Sequence, residues 1–281
     1  MNARLARQSY GKHQVHISRV IRLEDSTHRF SQVAVDVELE GNFEAAYTEG
    51  DNSLVVATDT CKNLVHNVAL EHTIESIESF GRSLVEVFLQ NYRHVDQVTT
   101  SLTETIWDRL NDCPHGFIAS NRAMPTAQAV GKRGSALQIV SGVRDVVIAK
   151  TTASGFEDFH RDAYRTLEDT DDRILATSMQ ANWTYAGEPA CYNESREAIM
   201  DALMTSFLDH YSKSVQQTLM RMGAAALEAC PAIGSIHLIM PNKHHIPIDM
   251  SPFGKQNRND LFVVSPEPFG YIEAEIVRDG V

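Results

Sequence analysis

Residues 47–63 of this 281-residue chain read YTEGDNSLVVATDTCKN. Glu49, Gly50, Asp51, Asn52 and Ser53 form a loop signal. Leu54, Val55 and Val56 form a short β-branched run of the buried-strand type. Leu64, Val65, Val68 and Ala69 then recur at helical spacing. Thr58, Asp59 and Thr60 are therefore expected where a strand hands over to a helix. The free N–H groups and dipole of a helix start favour an anionic ligand, and a hydroxyl beside a carboxylate can handle protons. A Thr/Asp helix cap without chemistry accounts for the same residues. Other candidates have ordinary readings too. Arg173, following Asp171 and Asp172, reads alone as a surface ion pair, Phe156 as packing, and Gln216 as an exposed residue at a helix start. His244 and His245 invite a metal, but neighbours on a strand point to opposite faces and rarely share one ion. Adding His160 or His237 gives no ligand spacing.

The elements that must position these residues follow from periodicity. Residues 13–23 and 31–40 alternate, the second with Val33, Val35, Val37 and Leu39 on one face, and read as an antiparallel pair buried on one side. An amphipathic helix is expected from Thr73 to Gln90, with Ile74, Ile77, Gly81, Leu84, Val85 and Phe88 as its apolar stripe. Strands are expected at 95–107, with a turn at Pro114-His115-Gly116-Phe117, and at 126–140. In the second half, residues 136–151 read as a strand, SGVRD as a turn, and Val146-Val147-Ile148 as a further run. Residues 157–173 carry seven acidic and three Arg side chains, a charge run of the solvated-loop kind. Ile199, Leu203, Phe207, Leu208 and Tyr211 keep helical spacing, as do Val215, Leu219, Met222, Ala226 and Leu227. Ser214 with Gln217 reads as a capping box at the start of the second series, with Gln216 in its first turn. Two helices or one kinked helix fit this pattern. Final strands are expected at 235–249 and 261–277. Each half thus reads strand, strand, helices, strand, strand, an internal repeat in layout that implies an α+β fold with helices packed on one face of antiparallel sheets.

Composition narrows the function. Net charge is 25 − 37 = −12, which argues against a nucleic-acid backbone or an acidic membrane as the main partner. Cys61, Cys113, Cys191 and Cys230 make no CxxC and read as free thiols in a reducing compartment. The opening MNARLARQSY lacks the apolar core of a signal peptide, no apolar run reaches membrane-spanning length, and Asp279-Gly280-Val281 is not a peroxisomal tripeptide. A cytoplasmic protein is expected.

Seven stretches, taken together and in order, resemble the urate oxidase (uricase) family. They are YGK at 10–12, the 47–63 stretch, Phe156 in SGF, DRILAT at 172–177, SVQQT at 214–218, MPNKHH at 240–245 and PFGYIEAEI at 268–276. The resemblance runs from about Tyr10 to the C-terminus. It implies two tandem T-fold domains, placed here at 1–135 and 136–281, in a tunnel-shaped homotetramer whose active sites lie at subunit interfaces. It implies oxidation of urate by O2 and water to 5-hydroxyisourate and H2O2, with no metal and no organic cofactor.

Carried over position by position, the resemblance gives each candidate a role. Arg173 matches the arginine that grips the O2/N3 edge of urate, a task for a planar two-pronged donor. Gln216 matches the amide that reads the opposite edge, Val215 supplies a backbone contact beside it, and Phe156 matches the ring that stacks on the purine. Asn242, with Thr58, matches the pair that holds O2 or water above the urate ring. Lys12, Thr58 and His244 match the proton relay, with the lysine and threonine contributed by a neighbouring subunit. Burial near another cation would lower the pKa of Lys12 toward its task as a base. Asp59 matches an aspartate that contacts the substrate edge through its backbone. His16 stands where many relatives carry Arg. The chain ends soon after its last strand, whereas many relatives carry a C-terminal tail that helps bind subunits, which leaves tetramer strength open. The rival readings are another T-fold purine or pterin enzyme, whose zinc-using members need Cys and His ligands, and a purine-binding relative without catalysis.

Overall fold

The structure, a computed structural model, describes residues 3–72, 74–187 and 189–279. Met1, Asn2, Thr73, Gly280 and Val281, on which some of the expectations above fall, lie outside them. The chain divides into two compact units, Met1–Gly142 and Val143–Val281.

In the first unit, strands β1 (Tyr10–Arg22) and β2 (His28–Gly41) pair antiparallel. Alternation drives their placement: Val33, Val35, Val37 and Leu39 are all at most 2% exposed, while the residues between them are only half-buried. Helices α1 (Glu44–Thr48), α2 (Thr58–Glu71) and α3 (Ile77–Asn91) follow. Ser76 caps α3 in a reciprocal box with Ser79. The chain continues through β3 (Val95–Thr105), the short pair β4 (Trp107–Arg109) and β5 (Phe117–Ala119), and β6 (Met124–Lys132). The sheet order is β1-β2-β3-β6, all antiparallel. The apolar stripes of α2 and α3 (Cys61, Val65, Val68; Phe80, Leu84, Val85, Phe88) close over the valines and leucines of this sheet in one core. Strand β7 (Gln138–Lys150) contains the division between the units.

The second unit holds β8 (Leu175–Tyr185), α4 (Tyr192–Leu208), α5 (Val215–Ala229), β9 (Ile233–Ile239), β10 (Asn242–Pro247), β11 (Phe262–Gly270) and β12 (Glu273–Val277). Pairing gives the order β12-β9-β8-β10-β11, again antiparallel. Its core packs Met179, Ala181 and Trp183 of β8, Ile236 and Leu238 of β9 and Ile276 of β12 with Leu203, Phe207, Leu219 and Met222 of the helices.

Several expectations change. Leu54–Val56 is not a strand: Leu54 is 39% exposed, Val55 N donates to Asn52 O in a turn, and Val56 N donates to the hydroxyl of Tyr10 rather than to a neighbouring strand. With the Val55 N–H given to a turn carbonyl and the Val56 N–H to a side chain, the run has no donors left there for a ladder. The run at 126–140 is cut by a turn in which Gly134 takes φ +75°. SGVRD is not a turn but the middle of β7, with Asp145 alone at positive φ. The last two expected strands are four, broken at Met240-Pro241 and at Tyr271-Ile272, where proline denies the ladder a donor in the first case. The helix expected from Thr73 begins at Ile77, and the Ile199–Leu227 region is two helices rather than one kinked helix.

Candidate functional site

In the first unit, the Tyr10-Gly11-Lys12 triplet acts as one device. Tyr10 accepts the Val56 N–H at 2.7 Å, and burial raises its own hydroxyl to about 12, so it stays protonated. Gly11 lies against β2 so closely that a Cβ there would sit 1.7 Å from the Val37 carbonyl oxygen; only glycine fits. A bulge follows. Lys12 pairs with Val37 and Val15 with Val35, so one extra residue is taken up at Gln14, whose φ is 55° and whose N–H donates to Asp36 Oδ1 at 2.6 Å. Residues opposite each other in an antiparallel pair share a face. Without the bulge Lys12 would point away from Val15. With it, Lys12 shares the helix-covered face with Val35 and Val37, half-buried.

That face leads to the start of α2. Thr58 is its first residue, and Ala57 precedes it with no side-chain cap, leaving the first N–H groups for a ligand or water. Thr58, Asp59 and Thr60 are exposed. Lys62 bonds and opposes the Asp59 carboxylate and holds it below the usual carboxylate range, with Asn63 and the charge of Lys12 adding to the effect. The structure thus brings Lys12, Thr58 and Asp59 to one place, on a helix start with no strand before it.

In the second unit, Phe156, Arg173, Val215, Gln216, Asn242 and His244 all line one cavity of about 440 Å³. Phe156 is held in an isolated bridge with Thr170, its N–H donating to Thr170 O at 2.7 Å and its carbonyl accepting from Thr170 N at 3.1 Å. Its ring stacks on Phe159 (centroids 4.8 Å, interplanar 7°), and the Arg173 guanidinium lies 5.3 Å from its centroid. Burial pushes Arg173 down from its ordinary value. Its Nε is buried with no protein partner. The surface ion pair that the sequence allowed is not formed with Asp172, whose carboxylate accepts from Thr152 Oγ1 at 3.0 Å and Asn259 Nδ2 at 3.2 Å instead. A buried guanidinium donor left open costs free energy until an acceptor arrives.

Ser214 caps α5 by accepting the Gln217 N–H at 3.1 Å, which makes Val215 and Gln216 the first two helical residues. The expected reciprocal box is displaced by one position, since Gln217 Oε1 accepts from Lys213 N rather than from Ser214 N. Val215 is buried and Gln216 exposed. Opposite, Asn242 heads β10, paired with Thr177 of β8 and Gly270 of β11, and its Nδ2 lies 3.4 Å from His244 Nδ1 on the same face. His245 turns its Nδ1 to the Lys243 carbonyl at 3.0 Å. Among the described residues no group of three or more His, Cys, Asp or Glu side chains is placed to hold a metal.

Sequence reasoning missed part of the wall. Leu167 and Thr170, inside the charge run whose composition is that of a solvated loop, line the cavity with Ile174, Asn259, Phe262 and Ile272. Leu167, a lone aliphatic in an acidic stretch, was the available signal. Asp169 anchors this loop by ion pairs to Arg161 at 2.7 Å and Arg165 at 3.0 Å, and Arg165 lies 5.1 Å from the Phe159 ring centroid.

A family profile described as Uricase matches residues 8–130 and 139–273. A curated protein named Uricase from Arthrobacter globiformis is 37% identical over 276 residues, spanning 98% of this chain and 90% of the relative. One from Dictyostelium discoideum is 36% identical over 282 residues, spanning 98% of each. The crystal structure of uricase from Arthrobacter globiformis superposes with a TM-score of 0.96 at 36% identity, covering 100% of this chain and 97% of that one. A urate oxidase structure from Bacillus sp. TB-90 shares the fold with a TM-score of 0.83 at 22% identity.

Proposed function

The chain belongs to the uricase family, and on that premise we propose that it oxidises urate with O2 and water to 5-hydroxyisourate and H2O2, a step of purine degradation, using two half-sites from neighbouring subunits of a homotetramer. Residues 1–135 and 136–281 serve as the two T-fold domains. The second-unit cavity binds urate. The observation that carries this reading is the half-buried Arg173, its buried Nε unpartnered, lining one cavity with Phe156 and the start of α5. A flat anion with acceptors on two edges fits that set: Arg173 takes the O2/N3 edge, Gln216 and the Val215 backbone take the other, and Phe156 stacks on the ring. The dipole and free N–H groups of α5 favour the anionic form.

The first-unit half supplies proton handling. Lys12 takes a proton through Thr58, His244 completes the relay, and Asn242 with Thr58 holds O2 or water over the ring. Asp59 meets the substrate edge through its backbone. Urate without its second proton is electron-rich, so the protein's task is to deprotonate it, hold it against O2 and stabilise charge, without metal or organic cofactor. Two electrons leave urate, O2 becomes H2O2, and one water oxygen enters the product. The protein works in the cytoplasm on small molecules, with neither nucleic acid nor membrane as partner. Its four cysteines are unpaired, and among the described residues no helix is long and apolar enough to cross a membrane.

Ultraviolet absorbance of urate, followed in EDTA with H2O2 assayed in parallel, tests the reading. Urate loss matched by equal H2O2 supports it. A tetrameric sample that leaves urate unchanged replaces it with a purine-binding role.

A further inference from the structure

Three irregular segments meet behind the second-unit cavity, and what ties them lies outside the roles assigned above. Ser154 forms an isolated parallel bridge with Ser212: Ser212 N donates to Ala153 O at 2.9 Å, and Gly155 N donates to Ser212 O at 2.8 Å. On the other side, Arg173 N donates to Ser154 O at 2.8 Å and Phe156 N to Thr170 O at 2.7 Å. Residues 153–156 are therefore a shared rail for Phe156, for Arg173 and for the chain that leads into Val215 and Gln216.

Tyr211 crosses this rail. Its hydroxyl donates to the Asp171 carbonyl at 2.7 Å. A Cβ on Gly155 would lie 2.1 Å from that hydroxyl oxygen and 2.8 Å from Thr170 O, so the crossing exists because residue 155 has no side chain. The near end of the tie is fixed independently. Thr218 Oγ1 donates to Ser212 Oγ at 2.7 Å, and Ser212 Oγ donates to Ser214 O at 3.1 Å. His210 Nε2 lies 3.0 Å from Thr218 Oγ1, and Lys150 Nζ donates to His210 O at 2.8 Å. Ser154, Ser212 and Thr218 are fully buried. The far end is the backbone two residues before Arg173.

We propose that Tyr211 is a positioning residue for substrate recognition: its hydroxyl fixes the Asp171–Arg173 turn at the separation from the α5 start that lets Arg173 and Gln216 hold opposite edges of one flat anionic purine. The inference rests on the urate reading. Tyr211 touches no reacting atom; it acts through Arg173. Because both grips hold ground state and transition state alike, losing the tie raises KM and spares kcat.

The test is Tyr211→Phe, which keeps the ring and removes the donor, assayed beside the wild type on urate. A neutral hydroxyl–carbonyl bond predicts a KM increase of about fivefold with kcat within about twofold. The thermal midpoint should move by no more than about 2 °C. An unchanged KM overturns the proposal. So does a KM rise accompanied by a clear fall in the melting midpoint, because general loosening then accounts for both. A wild type that does not oxidise urate overturns the functional reading itself, which keeps the two failures apart.

Discussion

Arg173 keeps its guanidinium 5.3 Å from the Phe156 ring with Nε buried and unpartnered, whereas Lys12 sits in the other unit with the start of α2. The two cations are thus expected to fail differently. A lysine at 173 replaces a planar fork with a point charge and cannot meet two acceptors at once. Arg173→Lys should weaken binding of 8-azaxanthine, a non-oxidisable urate mimic, by about a hundredfold or more. Lys12→Met removes the proposed proton carrier without touching the proposed grip, so 8-azaxanthine should bind within about twofold of the wild type while kcat falls by roughly 10²- to 10⁴-fold. Equilibrium titration of both variants checks this, and equal loss of affinity in the two removes the division of roles. At this scale the sequence was informative about residue types and silent about environment. Arg173 beside two aspartates looks like a surface ion pair until the fold gives Asp172 to Thr152 and Asn259. Nor does YGK announce a bulge at Gln14 that turns Lys12 toward the helices.

Helix α5 would couple stability to recognition, because its cap and the two residues proposed to meet the substrate are consecutive. Ser214→Ala removes the acceptor for the Gln217 N–H, and should cost about 1 kcal/mol in urea unfolding while raising KM through Val215 and Gln216. A KM unchanged despite the stability loss would separate the cap from the site. The polar cluster beneath the helix adds a pH dependence. Burial, then the nearby Lys150 charge, lowers His210 from its ordinary value of 6.5. The unfolded chain therefore binds the proton more readily, so the stabilisation is complete above about pH 6.5 and is lost as pH falls below it. His210→Gln should flatten the fall of the melting midpoint below that pH, and an unchanged slope would show that the other histidines carry it. The helices were legible because a 3.6-residue apolar period survives in α3 and α5 and Ser214 marks a start. Strand limits were not. Whether 54–56 pairs depends on the distant Tyr10 hydroxyl, which no local window contains, and 126–140 is split by a turn at Gly134 that the strand pattern on either side outweighs in the sequence.

Each unit carries part of the proposed chemistry: Lys12, Thr58 and Asp59 in the first, and Phe156, Arg173, Gln216, Asn242 and His244 in the second. The duplicated layout was readable because both halves repeat the same sequence of elements. Which surfaces would meet in the proposed assembly was not, since Thr58 and Gln216 are exposed polar side chains like many others along the chain. Sharing of sites between subunits makes a prediction that a site built within one chain does not. Lys12→Met and Arg173→Lys each carry one lesion, and every subunit of either kind is impaired alone. If the first-unit half of one subunit serves the second-unit half of its neighbour, random mixed tetramers restore about a quarter of the sites, because each half is intact in half of the subunits. Co-expression of the two variants with different tags, tandem purification of the mixed species and a urate assay read this directly. Activity near a quarter of wild type supports shared sites. Activity no higher than that of the separate variants means that both lesions fall on different sites of unshared chains, and Lys12 then acts within its own subunit.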